Sequence, residues 1–389
     1  GQRGGMTIRV MLRDGDEVLR TEQVPADRDF TPTVTLPIPE GRVRLWEPGQ
    51  PHLYDIDVEL RDAEGRLVDR AATYAGLRSV TIDGKAVRLN GRALFQRLVL
   101  DQGYYPDGVM TAPTDAALRR DIELSMQAGF NGARLHQKVF EERFLYHADR
   151  MGYLCWGEFG DWGIGRDGYG AAWITQWLEA LERDYNHPCL VGWCGLNETY
   201  KVFDDRIHNH DDVMRGTFLA ARAADPTRPV LDVSGYSHRV PETDIYDSHD
   251  YEQNPAAFAA HHAGLGEDRP YLSRHANFSS IAYRGQPYFV SEFGGIWWNP
   301  KAAADEPSWG YGQRPKSAEE FHQRFEGLCR ALLDHPHMFG YCYTQLTDVY
   351  QEQNGIYGFD RGEKLDVARI RAVQQRPAAI EKADDRASP

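Results

Sequence analysis

The first 90 residues alternate between apolar and polar positions over short stretches. Examples are Thr7–Leu12 and Leu53–Leu60, and turn signals stand at Asp14-Gly15 and Glu64-Gly65. Alternation with a period of two is typical of antiparallel strands that place one face on a core and the other in solvent. The pattern predicts an all-β sandwich of the immunoglobulin type, and nothing in it indicates chemistry.

A second pattern begins near residue 90, after a hairpin with an Asn90-Gly91 turn. Short apolar runs now alternate with longer amphipathic stretches, as in repeated strand–helix units. Eight such units in about 280 residues match the size of a (β/α)8 TIM barrel. The sequence therefore predicts a sandwich domain over residues 1–90 and a barrel over residues 91–389. The predicted strands are Ala93–Leu98, Gly132–Leu135, Leu154–Gly157, Leu190–Cys194, Pro229–Val233, Ile245–Ser248, Tyr288–Ser291 and Phe339–Tyr343, and the predicted helices include Asp115–Ala128, Glu141–Met151, Ala171–Asn186, Asp211–Ala224, Pro255–Gly264 and Ser317–His335.

Composition and charge narrow the class of protein. Of the 389 residues, 41% are apolar and 26% charged, and no apolar segment reaches the length of a membrane helix. The formal charge is −14, without a cluster of Lys and Arg, which argues against a nucleic-acid partner. We therefore expect a neutral ligand and no membrane or nucleic-acid partner, and a homo-oligomer is left open.

The cysteines and the N-terminus bear on the compartment. The five cysteines lie mostly in apolar runs, and an odd number cannot pair completely within one chain. They favour a reducing compartment, so the expected location is cytoplasmic. The start, Gly1-Gln2-Arg3, has no initiator methionine and no apolar signal core, which indicates a chain that is processed or is cut from a longer one. A signal peptide upstream of it stays open.

Two of the predicted strands end in a glutamate. Asn197 and Glu198 follow Leu190–Cys194, and Glu292 directly follows Tyr288–Ser291. In a parallel barrel these positions lie at the C-terminal mouth, where barrel enzymes carry their active sites. Two carboxyl groups about 5–5.5 Å apart, one an acid and one a nucleophile, are what a retaining glycosidase needs. The alternative for Glu198 is a surface carboxylate that caps a helix.

The two roles demand different protonation states. A general acid must carry a proton near neutral pH, so we expect burial and the charge of Glu292 to raise the pKa of Glu198. A nucleophile must be ionised and held still, so we expect Glu292 to accept hydrogen bonds from an Arg or a Tyr. Gly294 and Gly295 would leave room for a ligand beside it, or alternatively form only a tight turn.

Several motifs carry a resemblance to a known family. They are Leu89–Arg92, Gly129–Arg134, Asp149–Leu154, Asn197-Glu198 and Ser291–Gly295. With them the chain resembles glycoside hydrolase family 2, the family of β-galactosidases, β-glucuronidases and β-mannosidases. The resemblance implies a central immunoglobulin-like domain over residues 6–90 and a catalytic barrel over residues 91–376. It also implies that Glu198 is the acid/base, Glu292 the nucleophile, and Arg134 the arginine that orients the nucleophile.

Further residues at the predicted strand ends have both a functional and a structural interpretation. The alternative for Glu158 is an ion pair with Arg134, and the alternative for Trp298 is packing beneath its loop. A lone strand-end histidine is often structural, and buried polar side chains often form a hydrogen-bond network of their own. The predicted substrate-binding residues are Asp101, Gln102, Arg134, Glu158, Asn197, His249, Tyr251, Trp298, Gln345 and Asp348.

The chain also departs from the family pattern. The jelly-roll domain with which typical members begin is missing. Where β-glucuronidases carry Asn-x-Lys before a Gly-Ile pair, this chain has Glu352-Gln353-Asn354 before Gly355-Ile356. An acidic residue there should repel a uronate, which favours a neutral pyranoside. The Arg-x-Ser-His run of the family is replaced by Arg134–Lys138, so its substrate-binding histidine is out of register.

These observations predict a retaining exo-β-glycosidase that acts on terminal non-reducing residues of an oligosaccharide or glycoconjugate, with a β-galactosidase favoured. No metal and no other cofactor is expected. β-Glucuronidase and β-mannosidase are alternatives within the family, and a catalytically impaired carbohydrate-binding fragment is an alternative from another class. A metalloenzyme using His136, His249 and Glu292 lacks paired ligands on one element. An inverting hydrolase would need carboxyl groups roughly 6.5–9.5 Å apart.

Overall fold

The computed structural model describes residues 3–27, 29, 31–160, 170–199, 210–236, 238–273, 280–300 and 307–387. The chain divides into two compact units. One comprises Gly1–Arg78 with the short segments Asp149–Gly152 and Asn186–Pro188, and the other comprises the remainder. The predicted domain boundary near residue 90 stays a prediction.

The first unit is all-β and antiparallel. Its sheet has the strand order β2-β1-β5-β6, and the short strands β3 and β4 pair with each other. The strands are β1 (Thr7–Asp14), β2 (Glu17–Pro25), β3 (Trp46–Glu47), β4 (Gln50–Pro51), β5 (Tyr54–Arg61) and β6 (Leu67–Ala75). Gly15 turns the chain between β1 and β2 with a φ of 60°, which a glycine adopts without strain. This all-β region is what the alternating pattern predicted.

The second unit begins with a small antiparallel sheet of β7 (Val80–Asp83), β8 (Ala86–Leu89) and β9 (Arg92–Ala93). Asn90 and Gly91 connect β8 to β9 with φ values of 53° and 79°, the geometry for which Asn-Gly is favoured. Because Ala93 is used in this hairpin, the first barrel strand begins at Gln96. The predicted start at Ala93 was therefore wrong.

Eight parallel strands then form the sheet that carries the site. Their order is β14-β13-β12-β11-β10-β17-β16-β15, the order of a (β/α)8 barrel with a seam between β14 and β15. This confirms the predicted fold class. The fifth strand is shorter than the predicted Pro229–Val233. The strands are β10 (Gln96–Asp101), β11 (Gly132–Leu135), β12 (Leu154–Glu158), β13 (Leu190–Cys194), β14 (Val230–Leu231), β15 (Tyr246–Asp250), β16 (Tyr288–Gly294) and β17 (Met338–Thr344).

Helices occupy most of the connections between the barrel strands. Thr114 and Ser317 start two of them, since their hydroxyl oxygens accept hydrogen bonds from the backbone N–H groups of Ala117 and Glu320. The helices are α1 (Asp115–Gln127), α2 (Glu142–Met151), α3 (Gly170–Asp184), α4 (His210–Ala224), α5 (Pro255–His262), a 3-10 helix (Ala263–Glu267), α6 (Ala318–Leu333), α7 (Val367–Gln374) and α8 (Ala379–Ala387). No described helix has the length and apolar character needed to cross a membrane.

Aromatic side chains fill much of the barrel core. β16 and β17 are buried at every position, and Trp156 stacks on Phe289 with ring centroids 5.4 Å apart. Rings of this size dominate the hydrophobic stabilisation of a core. All five cysteines are buried and form no disulfide in the described structure, so they act as small apolar side chains. This packing holds the strand ends in fixed positions.

Buried polar side chains connect the two sides of the seam. His238 lies between Asp232 and Asp247, with Nδ1 2.8 Å from Asp232 Oδ1 and Nε2 3.0 Å from Asp247 Oδ1. Nearby, the backbone N–H of Val230 donates to Asp244 Oδ2 at 2.9 Å. We call Asp232, His238, Asp247 and Ser234, which bonds to Asp247, the seam network. Its members are all almost completely buried.

The seam network makes barrel stability depend on pH. Burial alone would lower the pKa of His238, but Asp232 and Asp247 raise it to about 10. A histidine whose pKa is higher in the folded than in the unfolded state contributes its full stability below about pH 6.5 and loses it as pH rises through 10. We expect the free energy of unfolding to fall between these values. Denaturant titrations across this range should give a flatter profile for His238→Gln, and parallel profiles would contradict the assignment.

Candidate active site

The two strand-end glutamates face a common point. Glu292 lies within β16 and is 4% exposed, whereas the side chain of Glu198, beyond the end of β13, is 36% exposed. One carboxylate oxygen of each, together with a ring nitrogen of His249, lie within 4.8 Å of one another. This spacing fits the short separation of a retaining pair rather than the roughly 6.5–9.5 Å of an inverting pair.

Glu292 receives hydrogen bonds on both oxygens. Arg134 Nη1 donates to Oε1 at 3.2 Å, and the Tyr251 hydroxyl donates to Oε2 at 2.5 Å. Tyr251 is itself fixed, because its ring stacks face to face on Tyr311 with centroids 3.4 Å apart. The expected Arg and Tyr donors are thus both present. They hold the carboxylate in place.

Arg134, on β11, donates hydrogen bonds to residues at the ends of three other strands. Its Nε donates to Glu158 Oε1 at 2.7 Å, its Nη1 also to the Ser291 carbonyl at 2.7 Å, and its Nη2 to Asn197 Oδ1 at 3.1 Å. Burial would raise the pKa of Glu158, but Arg134 and His136 bring it below its usual value. Of the two roles predicted for Glu158, the structure contains the ion pair with Arg134.

Glu198 is paired with an imidazole. Its Oε1 lies 2.5 Å from His249 Nδ1, which is also 3.4 Å from Glu292 Oε2. Burial would raise the pKa of Glu198, but the hydrogen bond and charge of His249, with a smaller effect of His136, lower it. The expectation of a raised pKa was therefore wrong, because it considered the charge of Glu292 and not the cation between the two carboxylates.

His136 approaches the same carboxylates from β11. Its Nδ1 lies 3.5 Å from Glu158 Oε2 and 3.8 Å from Glu292 Oε1. This nitrogen is buried and has no hydrogen-bond partner among the described residues. A buried polar atom of this kind usually has a partner that the protein itself does not supply, such as a substrate or a water. His136 is thus a site residue, although it was not among the predicted binding residues.

Another wall of the site consists of amides and a third carboxylate. Gln102 Nε2 donates to Gln345 Oε1 at 2.7 Å, and Gln345 Nε2 donates to Asn354 Oδ1 at 2.8 Å. Asn354 Nδ2 in turn donates to Glu352 Oε1 at 3.1 Å, and Gln102 Nε2 lies 3.5 Å from Glu352 Oε2. Burial raises the pKa of Glu352 despite these amide donors. Among the described residues no cation forms an ion pair with it.

The remaining predicted residues have partners within the protein or stand apart. Asp101 Oδ1 accepts from the Gly103 N–H at 2.9 Å, and burial together with nearby Asp121 raises the pKa of Asp101 to about 7. Asp348 pairs with Lys364 at 2.5 Å. The indole N–H of Trp298 is buried without an acceptor in the described part of the chain. Substrate binding by these residues stays a prediction.

The donor set can be tested against a metal ion. Glu198, His249 and Glu292 present ligand atoms close enough to hold one. However, Arg134 and Tyr251 already bond to the two oxygens of Glu292, and His136 Nδ1 lies 3.8 Å away. A guanidinium beside the carboxylate opposes a further cation. These residues fit proton and nucleophile chemistry better than metal binding.

The sequence contained a signal for the network that was not used. Strand β15 reads Tyr246-Asp247-Ser248-His249-Asp250 and is buried throughout. Four consecutive polar residues in a strand with two buried faces must find partners. Ser234 is such a partner for both Asp247 and His249, and the run indicates that buried partners of this kind are needed.

Comparison with known proteins relates the first unit to a family. A sequence profile described as Glycosyl hydrolases family 2 matches residues 4–78. The β-galactosidase of Vibrio cholerae is 30% identical over 198 residues, which are 48% of this chain and 18% of that protein. The β-galactosidase of Alteromonas mediterranea is 30% identical over 248 residues, 57% of this chain and 22% of the relative. The chain thus spans about a fifth of the length of the curated relatives it matches.

Solved structures share the fold across almost the entire chain. A β-glucuronidase of Bacteroides uniformis superposes with a TM-score of 0.76 at 20% identity, covering 95% of this chain and 46% of that one. A β-galacturonidase of Eisenbergiella tayi bound to galacturonate gives a TM-score of 0.71 at 19% identity, covering 96% of this chain and 67% of that one. At this identity the similarity is one of fold.

Proposed function

We propose that this chain, which belongs to glycoside hydrolase family 2, is a retaining exo-β-glycosidase with Glu292 as nucleophile and Glu198 as acid/base. The observation that carries the proposal is the pair of strand-end carboxylates with oxygens within 4.8 Å of each other. Their surroundings differ, since Glu292 is held by Arg134 and Tyr251, whereas Glu198 contacts the Nδ1 atom of His249.

The reaction then follows in two balanced steps. A Glu292 oxygen bonds to the anomeric carbon while the bond from that carbon to the leaving oxygen breaks, and Glu198 gives this oxygen a proton. In the second step water attacks the same carbon, Glu198 takes a proton from the water, and Glu292 is released. Arg134 and Tyr251 keep the nucleophile aimed during both steps.

The substrate we propose is a neutral β-pyranoside, with a β-galactoside favoured, at the end of an oligosaccharide or glycoconjugate. Glu352 supports a neutral sugar, because a partly buried carboxylate without an ion-pair partner among the described residues would repel a uronate. The curated relatives that support the galactoside are themselves named β-galactosidases. The solved β-glucuronidase and β-galacturonidase resemble the chain in fold and do not bear on its sugar.

A panel of p-nitrophenyl glycosides tests the function directly. We expect hydrolysis of the β-galactoside to exceed that of the β-glucuronide, β-mannoside, β-glucoside and α-arabinopyranoside. Proton NMR should detect the β-anomer as the first product, since the nucleophile and water each invert the anomeric carbon once. An α-anomer formed first would exclude a retaining mechanism. No hydrolysis by folded protein would instead favour the carbohydrate-binding fragment.

We expect Glu352 to determine how strongly the protein prefers a galactoside over a glucuronide. Two like charges about 5 Å apart at an effective dielectric of about 20 repel by roughly 3 kcal/mol, or about 10²-fold. We therefore expect Glu352→Gln, which keeps the shape and can still accept the hydrogen bond from Asn354, to reduce the ratio of galactoside to glucuronide kcat/KM by about 10- to 100-fold. Glu363→Gln removes an exposed charge from the same loop and serves as the matched control. An unchanged ratio in Glu352→Gln would remove this role.

A further inference from the structure

A continuous chain of buried contacts runs from the seam to the proposed acid. His238 joins Asp232 to Asp247, Asp247 Oδ2 accepts from the Ser234 hydroxyl at 2.8 Å, and Ser234 Oγ lies 3.0 Å from His249 Nε2. The other ring nitrogen of His249, Nδ1, lies 2.5 Å from Glu198 Oε1. At each contact in this series, the donor and acceptor roles determine which atom carries the hydrogen at the next contact.

The first member of this series of contacts, His238, has a fixed charge. Nδ1 of His238 faces Asp232 Oδ1 at 2.8 Å, and Nε2 faces two acceptors, Asp247 Oδ1 at 3.0 Å and the Asp247 carbonyl at 3.1 Å, against one donor, the Asp247 backbone N–H at 3.3 Å. The nearer acceptors outweigh the donor, so both nitrogens carry hydrogen and the ring is a cation. Asp247 is then an acceptor only. Its oxygens take the Ser234 hydroxyl and, at 2.9 Å, the backbone N–H of Gly235.

The hydrogen bond from Ser234 to Asp247 determines which His249 nitrogen carries a hydrogen. A hydroxyl has one hydrogen, and the charged Asp247 oxygen at 2.8 Å is a stronger acceptor for it than the Ser291 hydroxyl at 3.2 Å. The Ser234 oxygen can therefore only accept from His249, which means that His249 Nε2 carries a hydrogen. The tautomer is fixed, and only the Nδ1 position remains variable.

We propose that His249 Nδ1 and Glu198 Oε1 share one proton, and that this proton is the one delivered to the leaving oxygen in the proposed reaction. With the proton on His249 the pair is an imidazolium and a carboxylate, and with the proton on Glu198 it is a neutral imidazole accepting from a carboxylic acid. Both states satisfy the same short contact. The inference rests on the proposed function only for the use of the proton.

Charged and polar groups from every neighbouring strand act on this pair. Glu198 comes from β13 and Glu292 from β16, while Asp247 lies on the same strand as His249. Tyr236, after β14, has its ring centroid 6.2 Å from that of His249, and Ser273 bonds to the His249 backbone. Burial would lower the pKa of His249, but Glu292, Glu198 and Asp247 raise it, and His249 lowers that of Glu198. The raised pKa of His249 and the lowered pKa of Glu198 are what one proton held between two bases would give.

The shared proton also fits the two chemical steps. As the bond to the leaving oxygen breaks, that oxygen takes the one shared proton through Glu198, which leaves Glu198 as a carboxylate beside a neutral His249 imidazole. His249 keeps its Nε2 hydrogen on Ser234 throughout. In the second step the attacking water supplies the proton that restores the pair. His249 is therefore a positioning residue that acts through Glu198.

The test compares the pH dependence of His249→Asn with that of the wild type. The pair should keep its proton to a higher pH than a carboxyl group can alone, so the basic limb of kcat/KM should move down by about one unit or more in the variant. Above this limb the loss on an alkyl β-galactoside should be about tenfold for each unit by which the limb moves, and the loss on the 2,4-dinitrophenyl glycoside should be much smaller. If His249 had only a structural role, its replacement would lower kcat/KM for both substrates by the same factor at every pH. That result would overturn the proposal.

His261→Asn is the matched control. His261 also contacts a carboxylate, Asp250 at 2.8 Å, but contacts neither Glu198 nor Glu292 in the described structure. Its pH profile should coincide with that of the wild type, and a shift equal to that of His249→Asn would overturn the specific role of His249.

A second measurement needs no turnover. In ¹⁵N-histidine NMR of the wild type, the signals absent from His249→Asn belong to His249. We expect Nε2 to remain protonated across the titration while Nδ1 changes alone. A neutral ring with hydrogen on Nδ1 would overturn the fixed tautomer whether or not any glycoside is hydrolysed. Inactivity with the expected NMR result would count against the proposed function only.

Discussion

Replacing Glu292 with Gln should abolish hydrolysis of the preferred glycoside while the protein stays folded. The amide has the shape of the carboxylate but cannot form the bond to the anomeric carbon. Arg134 keeps Glu158, Asn197 and the Ser291 carbonyl as partners, so the substitution leaves no unpaired buried cation. We expect kcat/KM to fall by about 10⁴-fold or more, as for other enzymes that lose their nucleophile. Steady-state kinetics and a thermal unfolding curve measure both parts.

Azide provides a second test of Glu292 as the nucleophile. In Glu292→Ala, azide can enter the space of the lost carboxylate and attack the same face of the sugar, which yields an α-glycosyl azide. Glu363→Gln, with an exposed charge removed elsewhere, should behave as the wild type. Hydrolysis by Glu292→Gln at a rate near that of the wild type would remove Glu292 from the nucleophile role.

Replacing Glu198 with Ala should produce a loss that depends on the leaving group. A general acid contributes about 10²- to 10⁴-fold where the leaving oxygen must be protonated, and little where the leaving group is already a good one. We expect a loss of that size on alkyl galactosides and a small change in the first step for 2,4-dinitrophenyl galactoside. Rates measured across a series of aryl leaving groups give the slope that reports on proton transfer.

Two controls separate the acid role from a structural one. Glu198 has a positive φ of 51°, a conformation that costs Ala and Gln about as much as Glu, so its strain is common to all three. Glu198→Gln should therefore fold as the wild type does and still show the leaving-group dependence. Equal losses on good and poor leaving groups would exclude Glu198 as the acid.

The fold was predictable where a segment carries its own pattern. Leu190–Cys194 matches the predicted strand, because an uninterrupted apolar run marks a buried parallel strand locally. Gly132–Leu135 also matches, although Arg134 interrupts its apolar residues. Gln96–Asp101 was displaced because an Asn-Gly turn upstream recruited Arg92 and Ala93 into a hairpin. The shortness of Val230–Leu231 depends on strands distant in sequence, which no local pattern encodes.

The site was predictable at the level of positions and not of electrostatics. Glu198 and Glu292 follow from their places at strand ends, since barrel geometry brings such ends together. The sign of the pKa shift of Glu198 depends on whether a cation or an anion lies nearer, and His249 Nδ1 at 2.5 Å decides it. Periodicity tells which face a side chain takes, but it does not tell which side chain lies opposite.

The seam has a consequence for how the protein would lose activity. β14 pairs over only two residues, and its connection to β15 depends on the side chains of the seam network. Local opening should begin where the fewest backbone bonds resist it. The supports of Glu292 come from β11 and β15, but those of Glu198 pass through the seam itself. A partly opened molecule would thus lose its acid before its nucleophile, and its growing preference for activated glycosides would report the disorder earlier than any loss of helix.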